Sequence, residues 1–367
     1  MDGRRINKTI SKNFEEKGYF FLFSFINNPK NYIQCFGIIQ MFIQSITRSR
    51  LLKAVTNGKS WTFTRSKSDS AVNVFNRQVK RLQKNRAALL PNTDDYDYLK
   101  DEVARRIVDR LSDVSRHFPL VLDLGCGKGH IAKALTKTHL TSLVQCDLSE
   151  EMLQSSFIHP DIPTKKLIVD EEFLPFGKNT FDAVLSSLSL HWVNDLPGVF
   201  RQVKSSLKDD GMFLMGLLGG ETLFELRCSL QLAELEIEGG FGPHISPFTE
   251  MTDIGNIASQ TGFNLITVDY DEIIVNYPSI HELMDDLRGM GENNASWARK
   301  NVLQRKTTEV ASQIYREMYG DSNGNIPATF QVLFLIGWKP SDKQEKPAER
   351  GSGTFSLKDI DKIDFEK

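Results

Sequence analysis

The chain has 367 residues, 40% of them hydrophobic and 25% charged, with a net charge of −2 and 4 cysteines. That is apolar material for one large domain or two smaller ones, and too few cysteines for a disulfide scaffold, so a reducing compartment is expected. The charge is divided: residues 1–68 hold 12 Lys and Arg against 3 Asp and Glu, and the remainder holds 33 against 44. An acidic body argues against nucleic acid as the main partner, because phosphate binding needs clustered Lys and Arg. Cys35, Cys126, Cys146 and Cys228 form no CxxC pair and no zinc spacing, and read as small buried apolar residues.

Residues 1–40 carry the aromatic run Tyr19 to Phe25, broken soon after by Asn27, Asn28, Pro29 and Lys30. Neither half reaches the roughly 18 apolar residues of a spanning helix, so no transmembrane segment is expected. From Met41 to Ser68 there are six basic residues, no acidic one and many Ser and Thr. Ile43, Ile46, Leu51 and Val55 can share a helical face. This is the composition of a mitochondrial transit peptide, and Met41 is the expected working start. The expected division is a transit peptide with its extension over 1–68, a helical lid over 69–118, the main domain over 119–339 and a flexible tail over 340–367.

In 72–87, Val72, Phe75, Val79 and Leu82 fall at helical spacing among Arg77, Lys80, Arg81 and Lys84, which predicts a basic amphipathic helix. It suits a lid over a site, a membrane-facing surface, or a solvated helix packed on the domain. A second helix carries Leu99, Val103, Ile107 and Leu111 at steps of four. From residue 119 short apolar runs alternate with helical patterns. Strands are predicted at 120–124, 142–147, 167–170, 181–187 and 212–217, with helices near 130–137 and 196–208. Further on come helices near 222–236 and 253–261, a strand at 264–275, helices near 279–290 and 298–319, and a strand at 328–338. Apolar, non-alternating strands between helices signal a parallel sheet covered on both faces.

The first strand runs into Asp123-Leu124-Gly125-Cys126-Gly127-Lys128-Gly129. A glycine-rich turn there lets a ligand approach the backbone at the carboxyl edge of the sheet. Dinucleotide sites want GxGxxG, but position 130 is His130, so the pattern is DxGxGxG. Asp123 would repel a pyrophosphate and suits a ligand with an ammonium and a sulfonium, which points to S-adenosylmethionine. Asp147, at the end of the second strand, stands where a carboxylate accepts from both ribose hydroxyls. Asp170 stands where it accepts from an adenine amino group. The candidate cofactor residues are therefore Asp123, Gly125, Cys126, Gly127 and Gly129, then Asp147 and Leu148, Asp170 and Glu171, and Ser187. The fourth strand leads into His191 and Trp192, which are expected to line the acceptor pocket.

The runs DEEFLPF (170–176), SSLSLHWVNDLPG (186–198), LFELRCSLQLAE (223–234), GGFGPHISPF (239–248) and NYPSIHELMDDLRGMGE (276–292) carry a resemblance. They are similar to a family of mitochondrial complex I assembly factors in the class I methyltransferase superfamily. PAT (327–329), IGWK (336–339) and PAERGS (347–352) extend the likeness to nearly the whole body. The resemblance implies an α/β, Rossmann-like doubly wound sheet of seven strands with the last strand antiparallel. It implies S-adenosylmethionine as cofactor and hydroxylation of an arginine on an iron–sulfur subunit of respiratory complex I. It also implies a place in the matrix, peripheral to the inner membrane. For an arginine substrate, Asp195, Glu221, Glu225 and Trp192 are candidate contacts. His130, His191 and His244 lie in separate segments and give no 2-His-1-carboxylate set, so no metal is predicted. The same runs also look like the malonyl carrier-protein methyltransferases, whose carboxylate acceptor needs a cation such as Arg227. A non-catalytic assembly chaperone is the third reading.

Overall fold

The computed structural model describes residues 73–300, 302–346 and 350–353. The expected targeting segment, the Met41 start and the chain after residue 353 lie outside them.

Among the described residues, two helices precede the sheet. In α1 (Arg77–Ala88), the Asn76 side chain caps the first turn by accepting from the Val79 N–H at 3.1 Å. A single 3₁₀ turn at Thr93–Tyr96 leads to α2 (Tyr98–Ser112), which buries Leu99, Val103, Ile107 and Leu111 as their spacing predicts. The chain then alternates through β1 (Phe118–Leu124), α3 (His130–Ala134), β2 (Leu140–Asp147), α4 (Glu150–Gln154), β3 (Thr164–Ile168) and β4 (Phe181–Ser187). It continues with α5 (Leu196–Ser206), β5 (Leu207–Leu218), α6 (Phe224–Glu238), α7 (Met251–Gln260) and β6 (Asn264–Tyr277). The last elements are α8 (Ile280–Met290), α9 (Arg305–Tyr319) and β7 (Ile326–Trp338).

The seven strands lie in the order β3-β2-β1-β4-β5-β7-β6. The first five are parallel, and β7 runs antiparallel between β5 and β6. Alternate residues serve opposite faces, as the two-residue period of a strand requires. Val121, Leu185 and Leu214 join the core under α2 and α6, whereas Leu122, Val184 and Phe213 join the core under α5 and α7. Phe200 of α5 meets Phe213 edge to face, 5.2 Å between centroids. The order reverses between β1 and β4, and a doubly wound sheet opens its ligand crevice at the carboxyl ends beside that point. Among the described residues no helix is long and apolar enough to cross a membrane.

Several elements differ from the sequence expectation, among them the short helix at Glu150–Gln154, which was not predicted. The helix predicted at 130–137 ends at Ala134, and the Thr136 side chain and N–H turn to the His139 ring instead. The helix predicted from 298 begins at Arg305. Before it, Asn294 Oδ1 accepts from Ser296 N and Ser296 Oγ from Ala298 N, local bonds that compete with helix. The strand predicted at 212–217 begins at Leu207 and carries a bulge: Phe181 pairs with Leu207 and Ala183 with Met212, with Asp210 at φ +63°. The third strand ends at Ile168, two residues earlier than predicted, which changes the carboxylates it presents.

Candidate functional site at the carboxyl ends of the first four strands

The turn after β1 is the floor of the site. Its Gly125 and Cys126 N–H groups both donate to the Cys146 carbonyl, at 2.8 and 2.9 Å, and tie the turn to β2. Gly125 has φ +74°, and a Cβ there would stand 2.1 Å from Ser189 Oγ. Gly129 has φ +78°, and a Cβ there would stand 2.8 Å from the Phe157 carbonyl oxygen. Both positions therefore exclude an ordinary side chain on conformational and steric grounds.

Asp147 ends β2 fully buried. Its Oδ1 accepts from Ser149 N at 2.8 Å, and its Oδ2 accepts from Gly127 N at 2.9 Å and Lys84 Nζ at 2.6 Å. Asp123, inside β1, is also fully buried, and neither of its carboxylate oxygens has a hydrogen-bond partner among the described residues. Burial, reinforced by the charge of Asp147, pushes its pKa up to about 8. Ser187 Oγ at the end of β4 likewise lacks a partner among the described residues. An orphaned buried acid, an orphaned hydroxyl and a glycine cradle fit S-adenosylmethionine, whose ammonium would satisfy Asp123 and whose ribose would take Asp147.

Beyond β3 the structure shifts the emphasis from Asp170 to its neighbour. Asp170 lies two residues past the strand and is partly exposed, with its Oδ1 2.7 Å from Arg77. Glu171 is fully buried and accepts from Ser189 Oγ at 3.0 Å and from the Arg77 guanidinium. Burial works to raise the Glu171 pKa, but Arg77 and Lys84 outweigh it and hold the acid below its ordinary value. Leu148 is buried just past Asp147.

A second cluster adjoins the turn. Trp192 lines the cavity, and the ammonium of Lys80 lies 3.2 Å from the centroid of its ring. His191 does not line it: its ring is buried behind, with Nε2 3.2 Å from Glu292 Oε2. Burial lowers the His191 pKa, against the pull of Glu292. Trp192 Nε1 donates to the same Glu292 oxygen at 2.8 Å, and Lys100 Nζ stands 3.5 Å from Oε1. Burial opposes ionisation of Glu292, yet Lys100 and His191 hold its pKa well below the ordinary range. Glu292 was not predicted as a site residue. Its only sequence signal is its place at the end of the run 276–292.

The other candidates do not reach the cavity. Glu221 sits exposed in the turn after β5. Arg227 donates to the carbonyls of Gly220 and Thr222, so it braces that turn instead of offering a cation. Glu225 is buried and accepts from the Thr329 hydroxyl and N–H. Asp195 caps α5, its Oδ1 accepting from Gly198 N at 2.8 Å. Asp195→Ala should therefore lower stability by about 1 kcal/mol, seen as a shifted urea midpoint, because a lost N-cap orphans an N–H group. The glycine- and proline-rich loop at 239–248 is pinned by Glu234, which accepts from Gly242 N at 2.7 Å and pairs with His244 at 2.6 Å. His130, by contrast, lines the cavity and pairs with Asp101 at 2.6 Å. Among the described residues no three His, Cys, Asp or Glu side chains converge as metal ligands.

Comparison with known proteins agrees with this architecture. The family described as a methyltransferase domain matches residues 122–215, from β1 to β5. A protein of Danio rerio named "Arginine-hydroxylase NDUFAF5, mitochondrial" is 55% identical, over 83% of this chain and 95% of that protein. The Homo sapiens protein of the same name is 54% identical, over 81% and 86%. A malonyl-[acyl-carrier protein] O-methyltransferase of Methylovorus sp. is 29% identical, over 68% and 85%. The chain belongs to the family of the mitochondrial arginine-hydroxylase NDUFAF5 proteins.

Proposed function

We propose that this protein binds S-adenosylmethionine at the carboxyl ends of β1, β2 and β4 and hydroxylates an arginine of an iron–sulfur subunit of respiratory complex I. It would do so in the mitochondrial matrix, at the inner membrane. The observation that carries the reading is identity of 54–55%, over more than four-fifths of the chain, to proteins named mitochondrial arginine hydroxylases.

The site's chemistry is compatible with such a substrate. The carboxylates after β3, with the Trp192 carbonyl, already hold one guanidinium, that of Arg77. A guanidinium is recognised by planar, charge-assisted hydrogen bonds of this kind. Asp147 would hold ribose, Asp123 the amino group and the Gly125–Gly129 turn the backbone-facing side of the cofactor. When bound, S-adenosylmethionine supplies an electrophilic methyl group on a sulfonium. Hydroxylation draws on a separate oxidant of the dioxygen class, two electrons and two protons, giving one hydroxyl and one water. Trp192 would wall the acceptor side, and Glu292 fixes its indole.

Carboxylate methylation is the second reading. The malonyl methyltransferase relative and the DxGxGxG turn favour it, with Lys80 and Lys100 beside Trp192 as cations in place of Arg227.

Tryptic peptides of complex I subunits from mitochondria with and without this protein test the reading. An arginine peptide should be lighter by one oxygen when the protein is missing. A peptide lighter by one methyl group would instead make this protein a methyltransferase. Unchanged peptides with failed assembly would make it a non-catalytic factor.

A further inference from the structure

The cavity at this site measures about 20 Å³, bounded by Lys80 and Lys84 of α1, the Gly125–Gly127 turn, Ser187, Trp192 and Glu292. That is room for about one water, whereas small-molecule pockets span roughly 300–1,000 Å³. The space is taken by α1. Arg77, Lys80 and Lys84 recur at three and four residues and so share one face of the helix. Lys84 Nζ lies 2.6 Å from Asp147 and 3.7 Å from Glu171. Arg77 pairs with Asp170 and Glu171. Lys80 donates to the carbonyls of Gly291 and Asn293 at 3.0 and 2.9 Å.

The apolar anchorage of this helix is Ala87 and partly buried Val79, which packs with Phe75 against Trp192. Its fully buried residues are Lys80 and Ala87, while Leu82 is 67% exposed and Leu89, just past its end, 73%. An element held by charge and with few apolar contacts is drawn from the low-stability end of a fold. Pro91 and the 3₁₀ turn at Thr93–Tyr96 break the chain between it and α2.

We infer that α1 is a displaceable cationic plug, in which Lys84 and Arg77 occupy the carboxylates that a nucleoside cofactor needs, so that cofactor and docked helix exclude one another. The inference rests on reading the strand-end acids as an S-adenosylmethionine site. The ribose acceptor Asp147 is spoken for by an ammonium, and no adenosine fits until that ion pair opens. Apparent affinity is then the intrinsic affinity scaled by the open fraction.

The test uses the full chain and S-adenosylhomocysteine as probe, with affinity from calorimetry. Lys84→Met should tighten binding about tenfold at low salt, whereas Arg81→Met on the exposed face should leave it unchanged. In the unaltered protein, raising salt from about 0.05 to about 0.5 M should itself tighten binding, by screening the ion pairs that hold the plug. This arm does not depend on a variant folding. Trypsin should cut at Arg77, Lys80 or Lys84 faster once ligand is bound. Ligand protection of these sites, with weaker binding by Lys84→Met, would make α1 a lid that closes over the cofactor and overturn the proposal. Binding that is unmoved by salt and by Lys84→Met would overturn it too, while leaving the cofactor site standing. No binding by either form would remove the cofactor reading and the plug together.

Discussion

Replacing Glu292 with alanine should lower stability by about 3–5 kcal/mol, because it breaks a buried ion cluster and leaves its cations uncompensated. Glu292 faces Lys100, His191 and Trp192 at once, and its charge is the main one that compensates fully buried Lys80. Burial already drives the Lys80 pKa well below its ordinary value, against the attraction of Glu292. Without the carboxylate the Trp192 N–H also loses its acceptor. Glu292→Gln keeps an acceptor for the indole but not the charge, so its loss should be smaller. The measurement is the urea midpoint of each variant at unchanged slope. The pH dependence has a fixed sign. An acid held low in the folded protein stabilises it fully above the ordinary glutamate value, and that contribution declines as pH falls below it. The gap between wild type and Glu292→Gln should therefore be full at neutral pH and shrink in acid. An equal gap at both would mean that packing, not charge, is the role of Glu292.

Affinity for S-adenosylmethionine should rise with pH, about tenfold per unit, and level off near pH 8. Asp123 is the reason. Burial raises its pKa to about 8, so at neutral pH it is mostly protonated in the free protein. A ligand ammonium binds the ionised form, so binding below pH 8 releases about one proton. Calorimetry in buffers of different ionisation enthalpy counts that proton directly. Asp123→Asn should flatten the profile and weaken binding at pH 8. A wild-type affinity that does not change between pH 6 and 8 would show that Asp123 does not meet a cation.

The strand-end acids were legible because covalent geometry fixes them. DxGxGxG after one apolar run and Asp147 after the next leave few alternatives in a parallel sheet. Of the two carboxylates expected after β3, Asp170 and Glu171, the fold buries the second and leaves the first partly exposed. As an edge strand paired only to β2, β3 stops at Ile168, and burial passes to Glu171. Asp195, expected as a substrate contact, instead fits the sequence pattern of an N-cap before the 196–208 helix, which makes a substrate contact unnecessary. What stayed hidden is long-range pairing. Lys84 meets Asp147 across 63 positions, and His191 meets Glu292 across 101. No local period carries either contact. The basic face of α1 could be read from the sequence as a lid, a membrane surface or a solvated helix, and only the fold shows those cations on the strand-end carboxylates.

One measurement bears most directly on the proposed activity. Mitochondria lacking the protein would be given either the wild-type chain or Asp147→Ala at matched protein level, and the arginine peptides of the complex I iron–sulfur subunits weighed. Wild type should restore one oxygen to a single arginine peptide, and Asp147→Ala should not. Restoration by both would place the chemistry outside this site, and no added oxygen with wild type would contradict the hydroxylase reading itself.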